Sequence, residues 1–350
     1  MEKEEKKFLE LIEKSHNILI LAHNGPDLDA FCSMLFAKIV LSKMYPKKKF
    51  IAQVKQGPTI NLPEMNRLSY VEKLDSSKCD MILVVDSGDI TICVNDDDNV
   101  DYKTLPVVFV DHHNSIVNNG DNCVLINHHA SSATEELYML FTRVFGKKFK
   151  LDNNTAKLVQ YGIVADTGRF LYDLTTPNTH RVYADAMAVA PIDLEDFSYR
   201  NSKFPKEAVI AMQEYLKTLT IVGDMAYMYI DRKTIDRVEG CKKGVGEAQS
   251  FIRDRFLRFI QGVHWGFVIK PDPKDKNGWF ISFRSTKGYQ NVREIAEDLG
   301  GGGHELASGV PFKAKNLNEV LMTTLSVINK HCPDIKNKKP IYIKNKFLKK

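Results

Sequence analysis

The stretch Asn17–Leu41, NILILAHNGPDLDAFCSMLFAKIVL, decides the fold. Asn17–Ala22 is a short, continuous apolar run, as expected of a strand covered on both faces. Leu28–Met44 then shows the apolar spacing of a helix that ends near Tyr45-Pro46. Working outward, Phe50–Val54, Met81–Val85, Val107–Val110 and Val124–Ile126 repeat the strand signature, mostly with helical segments between them. Strands alternating with helices predict an α/β fold, here a parallel sheet with helices on both faces.

Further along, Asn153–Ala165 and Arg181–Val189 read as helices. Residues 191–219 are expected to form a linker, polar and aromatic without a clear period up to Pro205, with a helix from about Ala208. Strand patterns then dominate at 225–230, 262–270 and 278–285, with a hairpin turn over Pro271–Gly278 and a helix over Val292–Leu299. This predicts an α/β domain over 1–190, a smaller mixed-sheet α/β domain over 220–330, and a basic tail over 331–350. The 350-residue length suits two domains of ordinary size.

The composition, 43% hydrophobic and 27% charged, excludes collagen-like and wholly disordered classes. No apolar run is long enough for a transmembrane helix, and the charged N-terminus is unlike a secretory signal. The formal charge of +5 is misleading, because seven lysines after residue 335 supply it and the rest of the chain would carry −2. The tail reads as a solvated terminus. Six cysteines without a CxxC pair read as reduced thiols of a cytoplasmic protein.

The chemistry-bearing residues follow the apolar elements. His23, Asp27 and Asp29 come after the first strand, Asp86 after Met81–Val85, Asp111-His112-His113 after Val107–Val110, and Asp166 after the 153–165 helix. Singly each has a bland reading; Asp27 or Asp29 would serve as a helix cap and Asp86 as a turn residue. Together they place five carboxylates and three histidines at the carboxyl edge of one sheet, where active sites of open α/β folds lie. Carboxylates so crowded repel unless a cation neutralises them. Oxygen with some imidazole and no sulfur suits Mn²⁺, with Mg²⁺ or Co²⁺ as alternatives. The ligand count exceeds one ion's need, and two ions about 3.5–4 Å apart would activate a water for in-line displacement at phosphorus. His128-His129 are not assigned to metal, because a Ser/Thr-capped helix is expected to begin just after them. In the second domain, Arg284-Ser285 and Gly300-Gly-Gly-Gly303-His304 combine backbone freedom with cations suited to a phosphate.

These motifs resemble the DHH phosphoesterase superfamily, in the subfamily whose second domain carries GGGH. The matching residues are His23-Asn-Gly-Pro-Asp27-Leu-Asp29-Ala30, Val85-Asp86-Ser87, Asp111-His112-His113, Asp166-Thr-Gly-Arg-Phe170, Arg284-Ser285 and Gly301-Gly-Gly-His304-Glu-Leu-Ala-Ser-Gly309. The resemblance implies that His23 and Asp27 hold one metal, that Asp29, His112 and Asp166 hold another, and that Asp86 bridges them. It implies that Asp111 orients His112, and that His113 faces the substrate phosphate. Arg284, Ser285, Gly302, Gly303 and His304 would bind phosphate or base. The implied activity is manganese-dependent hydrolysis of cyclic di-AMP, pApA or short oligoribonucleotides to nucleoside 5′-monophosphates. The alternatives are a phosphatase of 3′-phosphoadenosine 5′-phosphate and a non-catalytic nucleotide sensor. A homodimer is compatible with the family pattern. One departure is the basic segment 240–262, GCKKGVGEAQSFIRDRFLRFIQG, with Lys242, Lys243, Arg253 and Arg255. It reads equally as a packing helix with a solvated basic face or as a substrate-shaping insertion.

Overall fold

The computed structural model describes residues 2–55, 57, 61–113 and 122–342. The chain divides into two compact units, Met1–Asn201 and Ser202–Lys350.

The first unit is built on six parallel strands: β1 (Asn17–Leu21), β2 (Lys49–Val54), β3 (Leu68–Tyr70), β4 (Met81–Val85), β5 (Val107–Val110) and β6 (Cys123–Ile126). Their order is β3-β2-β1-β4-β5-β6, so the chain reverses direction across the sheet between β1 and β4. Helices α1 (Lys3–Lys14), α2 (Leu28–Met44), α3 (Ala133–Phe145), α4 (Asn153–Asp166) and α5 (Pro177–Val189) complete it, with α6 (Leu194–Asn201) at its end. Alternate strand residues face opposite ways. Ile18, Ile20, Leu83 and Val108 join Phe8, Phe36, Phe141 and Val159 of the helices, while Leu19, Leu21, Ile82 and Phe109 meet Leu74, Ile90 and Cys93. Among the described residues the helices therefore cover one face. The other face is closed by the segments flanking β4, residues 71–80 and 90–105, where the sequence pattern predicts helices on both. Right-handed crossovers explain the asymmetry: α2 joins strands ordered one way from β1, and the β3–β4 and β4–β5 connections run the opposite way and cross the opposite face.

α2 has buried residues on all its sides, from Ala30 and Phe31 to Val40 and Leu41, and lies in the middle of the helical layer. α6 falls in a segment that reads as aperiodic. It is short, and Phe197 is its buried anchor, packed on Tyr161 with ring centroids 5.2 Å apart, so no apolar stripe marks it.

The second unit holds α7 (Lys206–Leu216), β7 (Thr220–Val222), β8 (Met225–Tyr229), α8 (Arg232–Arg237), α9 (Cys241–Arg255), β9 (Trp265–Pro271) and β10 (Gly278–Ser285). It continues with α10 (Val292–Asp298), β11 (Gly302–His304), β12 (Ala307–Lys313), α11 (Leu317–His331), α12 (Pro333–Lys336) and β13 (Ile341–Tyr342). The sheet order is β11-β12-β10-β9-β8-β7-β13, mixed because β8 and β9 run parallel. Trp279, Ile281 and Phe283 of β10 face the core shared with α10 and α11, and Met228 and Val268 face α7 and α9. Gly244 lets α9 lie against α7, since a Cβ there would come 2.1 Å from the Glu207 carbonyl oxygen. No helix among the described residues is long and apolar enough to cross a membrane. The last eight residues of the basic tail, 343–350, lie outside the described residues.

Candidate active site

The site of the first unit lies where the strand order reverses, at the carboxyl ends of β1 and β4. His23 leaves β1, and its Nε2 lies 3.6 Å from Asp86 Oδ2. Asp27 caps α2, accepting from the Ala30 amide at 3.0 Å. Two residues on, Asp29 is completely buried, and its carboxylate meets the first turn of α3: Ala133 N at 2.6 Å, Thr134 N at 3.2 Å, and the Thr134 hydroxyl. Gly162 of α4 makes room for this arrangement. A Cβ there would stand 2.3 Å from Thr134 Oγ1 and 2.4 Å from Asp29 Oδ1.

Asp86 follows β4 with φ 57°, a left-handed conformation uncommon outside glycine and found at functional turns. Its amide donates to the Val110 carbonyl oxygen at 3.0 Å, tying the turn to β5. His112 leaves β5 almost fully buried, with Nε2 3.3 Å from Asp86 Oδ1 and 3.1 Å from Asp166 Oδ2 at the end of α4. Asp111 pairs with His113 at 2.7 Å, not with His112. Residues i and i+2 of an extended segment share a side, and this corrects the expectation that Asp111 orients His112.

The electrostatics of the cluster are those of a site that could hold a cation. Burial first, then Asp166 and Asp86, pushes the Asp29 carboxyl well above its usual range. Burial and Asp86 likewise raise Asp166. Burial would also raise Asp86, but the His112 and His23 rings outweigh it and hold Asp86 low. Asp86 in turn pushes His23 up to about 9. Burial would lower His112, yet Asp166 and Asp86 hold it at about 11. Asp86 Oδ1, Asp111 Oδ2 and His112 Nε2 are buried without a hydrogen bond of proper geometry, although the ring nitrogen is close to two carboxylates. Buried polar atoms left unsatisfied in this way suit a bound divalent cation.

Three donor groups, each with its atoms within 4.8 Å of one another, satisfy that fit: His23, Asp27 and Asp86; Asp29, Asp86, His112 and Asp166; and Asp86, Asp111, His112 and His113. Asp86 belongs to all three. His128 and His129 belong to none. His128 is engaged by the buried Glu136, with its amide donating to Oε2 at 2.9 Å, and by Glu2 at 3.1 Å.

In the second unit, Arg284 lies on the face of β10 opposite the α10–α11 core, and its Nε donates to Asp254 of α9 at 2.8 Å. Sequence reading did not single out Asp254, and only its neighbour Arg253 in the basic run marks the place. Ser285 is fully buried on the core face, with its amide on the Leu306 carbonyl oxygen. The glycine run splits in two. The Gly300 and Gly301 amides cap α10 on the Glu297 and Ala296 carbonyls, whereas Gly302, Gly303 and His304 form β11 beside β12. The first two glycine amides are thus spent on the helix and do not face an anion. Gly303 has φ 139°, and a Cβ there would meet the Ala307 carbonyl oxygen at 2.6 Å.

An open parallel sheet with this cluster of carboxylates and imidazoles at its reversal point offers ligand sets that could hold metal ions. Residues 17–163 match the DHH family, N-terminal domain. It is 25% identical over 321 residues to the bifunctional oligoribonuclease and PAP phosphatase NrnA of Bacillus subtilis, covering 89% of this chain and 95% of that protein. Its fold resembles an exopolyphosphatase-related protein from Bacteroides fragilis, with TM-score 0.75, 19% identity, and 95% and 98% of the two chains covered. A further fold match is RecJ of Thermus thermophilus in complex with Mn²⁺, with TM-score 0.50 and 14% identity, covering 95% of this chain and 55% of that one.

Proposed function

We propose that this phosphoesterase hydrolyses short oligoribonucleotides, including pApA-type dinucleotides, to nucleoside 5′-monophosphates with two divalent ions, Mn²⁺ in preference to Mg²⁺ or Co²⁺. The observation that carries the reading is Asp86, a buried carboxylate common to all three donor groups. In this reading His23 and Asp27 hold one ion, Asp29, His112 and Asp166 hold the other, and Asp86 serves both. The ions, when bound, would neutralise phosphoryl oxygens and acidify a water.

The chain's own residues do the rest. Thr134 and the α3 amides keep Asp29 in place through three hydrogen bonds. Asp111 fixes the half-exposed His113 ring and raises its basicity, which makes His113 a cation suited to the charge that develops on a phosphate. In the second unit, Arg284, Gly302, Gly303 and His304 recognise the phosphate or base of the nucleotide, with Ser285 anchoring β10 behind Arg284. The second reading is removal of the 3′-phosphate of 3′-phosphoadenosine 5′-phosphate, which the two activities in the B. subtilis relative's name favour. Cyclic di-AMP is the third candidate.

A turnover panel with Mn²⁺ tests the proposal, using pApA, oligoribonucleotides, 3′-phosphoadenosine 5′-phosphate and cyclic di-AMP. The expected result is AMP from the dinucleotide and none from Asp86→Ala. Calorimetric titration with Mn²⁺ alone, expected to show more than one ion per chain, checks the site without reference to turnover. Absence of turnover with intact nucleotide binding would make the protein a sensor.

A further inference from the structure

The basic run on α9 has a packing side and a charged edge. Cys241, Gly244, Ala248 and Ile252 are the packing side, buried in the second unit. A different edge, at helical spacing, presents Lys242, Gly246, Gln249 and Arg253 along β9 and β10. Gln249 Nε2 reaches Ser282 Oγ at 3.3 Å. Gly246, which has no side chain, sits beside Lys270; even a Cβ there would be 3.8 Å from Lys270 Nζ. Lys270 lies 5.6 Å from the Phe280 ring, and Lys242, Gly246 and Lys270 line a cavity of about 290 Å³.

The charges along this edge are unevenly satisfied. Asp254 is shared by Arg253, at 2.6 Å, and Arg284, at 2.8 Å. Glu247 and Asp272 act on Lys270 only from a distance, and Asp236 lines the cavity. Among the described residues neither Lys242 nor Lys270 has an ion pair. Desolvation and then Arg253 hold the Lys270 ammonium below its ordinary value, so an anion arriving there would relieve both. Phe280, Ser282 and Arg284 alternate along the same face of β10, with Phe280 paired to Lys270 on β9 and Pro311 on β12. Arg284 stands opposite Gly266, four residues from Lys270 along β9. That is about 13 Å at strand rise, the length of several stacked nucleotides at ~3.4 Å each.

We propose that the half-exposed face of β10 beside α9, running from Arg284 to Lys270 and Lys242, is a track for the further nucleotides of an oligoribonucleotide substrate. Arg284 takes one phosphate, the two lysines take phosphates further along, and Phe280 offers a base a stacking surface. The track deepens the phosphoesterase reading above and rests on it, because it concerns length selection for the same substrates.

The test compares a five-nucleotide RNA with a dinucleotide on wild type and on the Lys242→Ala/Lys270→Ala double variant. The expected result is a KM for the pentamer raised about tenfold, with the dinucleotide changed less than twofold. The Lys242→Arg/Lys270→Arg variant should restore pentamer KM. Binding of a 5′-labelled pentamer, read by fluorescence anisotropy, should lose about 1.4 from its log–log salt slope in the alanine variant, at about 0.7 per phosphate contact on a single strand. Equal effects on both lengths, or an unchanged salt slope, would overturn the track. If wild type hydrolyses neither substrate, the phosphoesterase reading fails instead, and the anisotropy measurement still decides the track: an unchanged slope overturns it, and the reduced slope supports it.

Discussion

The carboxyl edge of the first sheet and the half-exposed face of β9 and β10 in the second solve opposite electrostatic problems. At β1 and β4, carboxylates are buried with too few partners; Asp29 and Asp166 are pushed toward neutrality and Asp86 keeps an oxygen without a hydrogen bond. On β9 and β10 the surplus is cationic, Asp254 is shared by two arginines, and Lys242 and Lys270 remain to be matched. In the proposed reading the first arrangement would take metal ions and the second phosphates. On that reading chemistry would concentrate where burial makes charge expensive, and recognition would spread over half-exposed side chains where binding is screened by salt.

The sharpest way to break the comparison is Asp86→Ala. Removing the shared carboxylate should cost several kcal/mol of transition-state stabilisation, on the order of a thousandfold in turnover, and lower the Mn²⁺ stoichiometry seen by calorimetry. A fully active variant would move the chemistry elsewhere.

A supporting residue should cost less. Thr134→Val removes the hydroxyl that holds Asp29 and should weaken Mn²⁺ binding about 10- to 100-fold, the range for residues that orient metal ligands. Gly162→Ala should act in the same direction, because its methyl would press on both Thr134 and Asp29. Unchanged Mn²⁺ affinity in both variants would show that the α3 amides suffice.

The pH dependence of the metal-free protein separates the two regions without mutation. His23 and His112 have folded values of about 9 and about 11, above the unfolded imidazole near 6.5. The folded state thus binds the extra protons. The stabilisation is complete below about pH 6.5 and is lost as pH rises through about 9 and then about 11. Thermal midpoints without metal should fall over this range, and with Mn²⁺ the fall should be smaller because the ion replaces the protons. Identical profiles with and without metal would mean that the histidines are not its ligands.

The smallest effect is expected at His128. His128→Ala should lower stability by about 1–3 kcal/mol, through the buried Glu136 that loses a partner. Mn²⁺ affinity should stay within twofold of wild type, as calorimetry would show.

Much of this molecule is legible in a single chain. Short apolar runs dictate β1, β4 and β5, and acids or histidines directly after them land at one edge because parallel strands end on the same side. Seven of the eight residues of that edge, His23 to His113, follow from position after the strands, and the eighth, Asp166, from the end of a helix. What local pattern does not carry is contact between distant segments. Nothing near Asp29 announces that Thr134 binds it 105 residues later, and nothing around Gly162 says that its missing Cβ makes the space. The pairing of Asp111 with His113, the one-sided helical layer and the partnership of Asp254 with Arg284 were likewise decided by tertiary packing. The sequence by itself determined which groups stand at the ends of strands, because strand polarity is local and periodic. Only the tertiary structure decided which of them share a charge, because burial and distance are properties of the assembled fold.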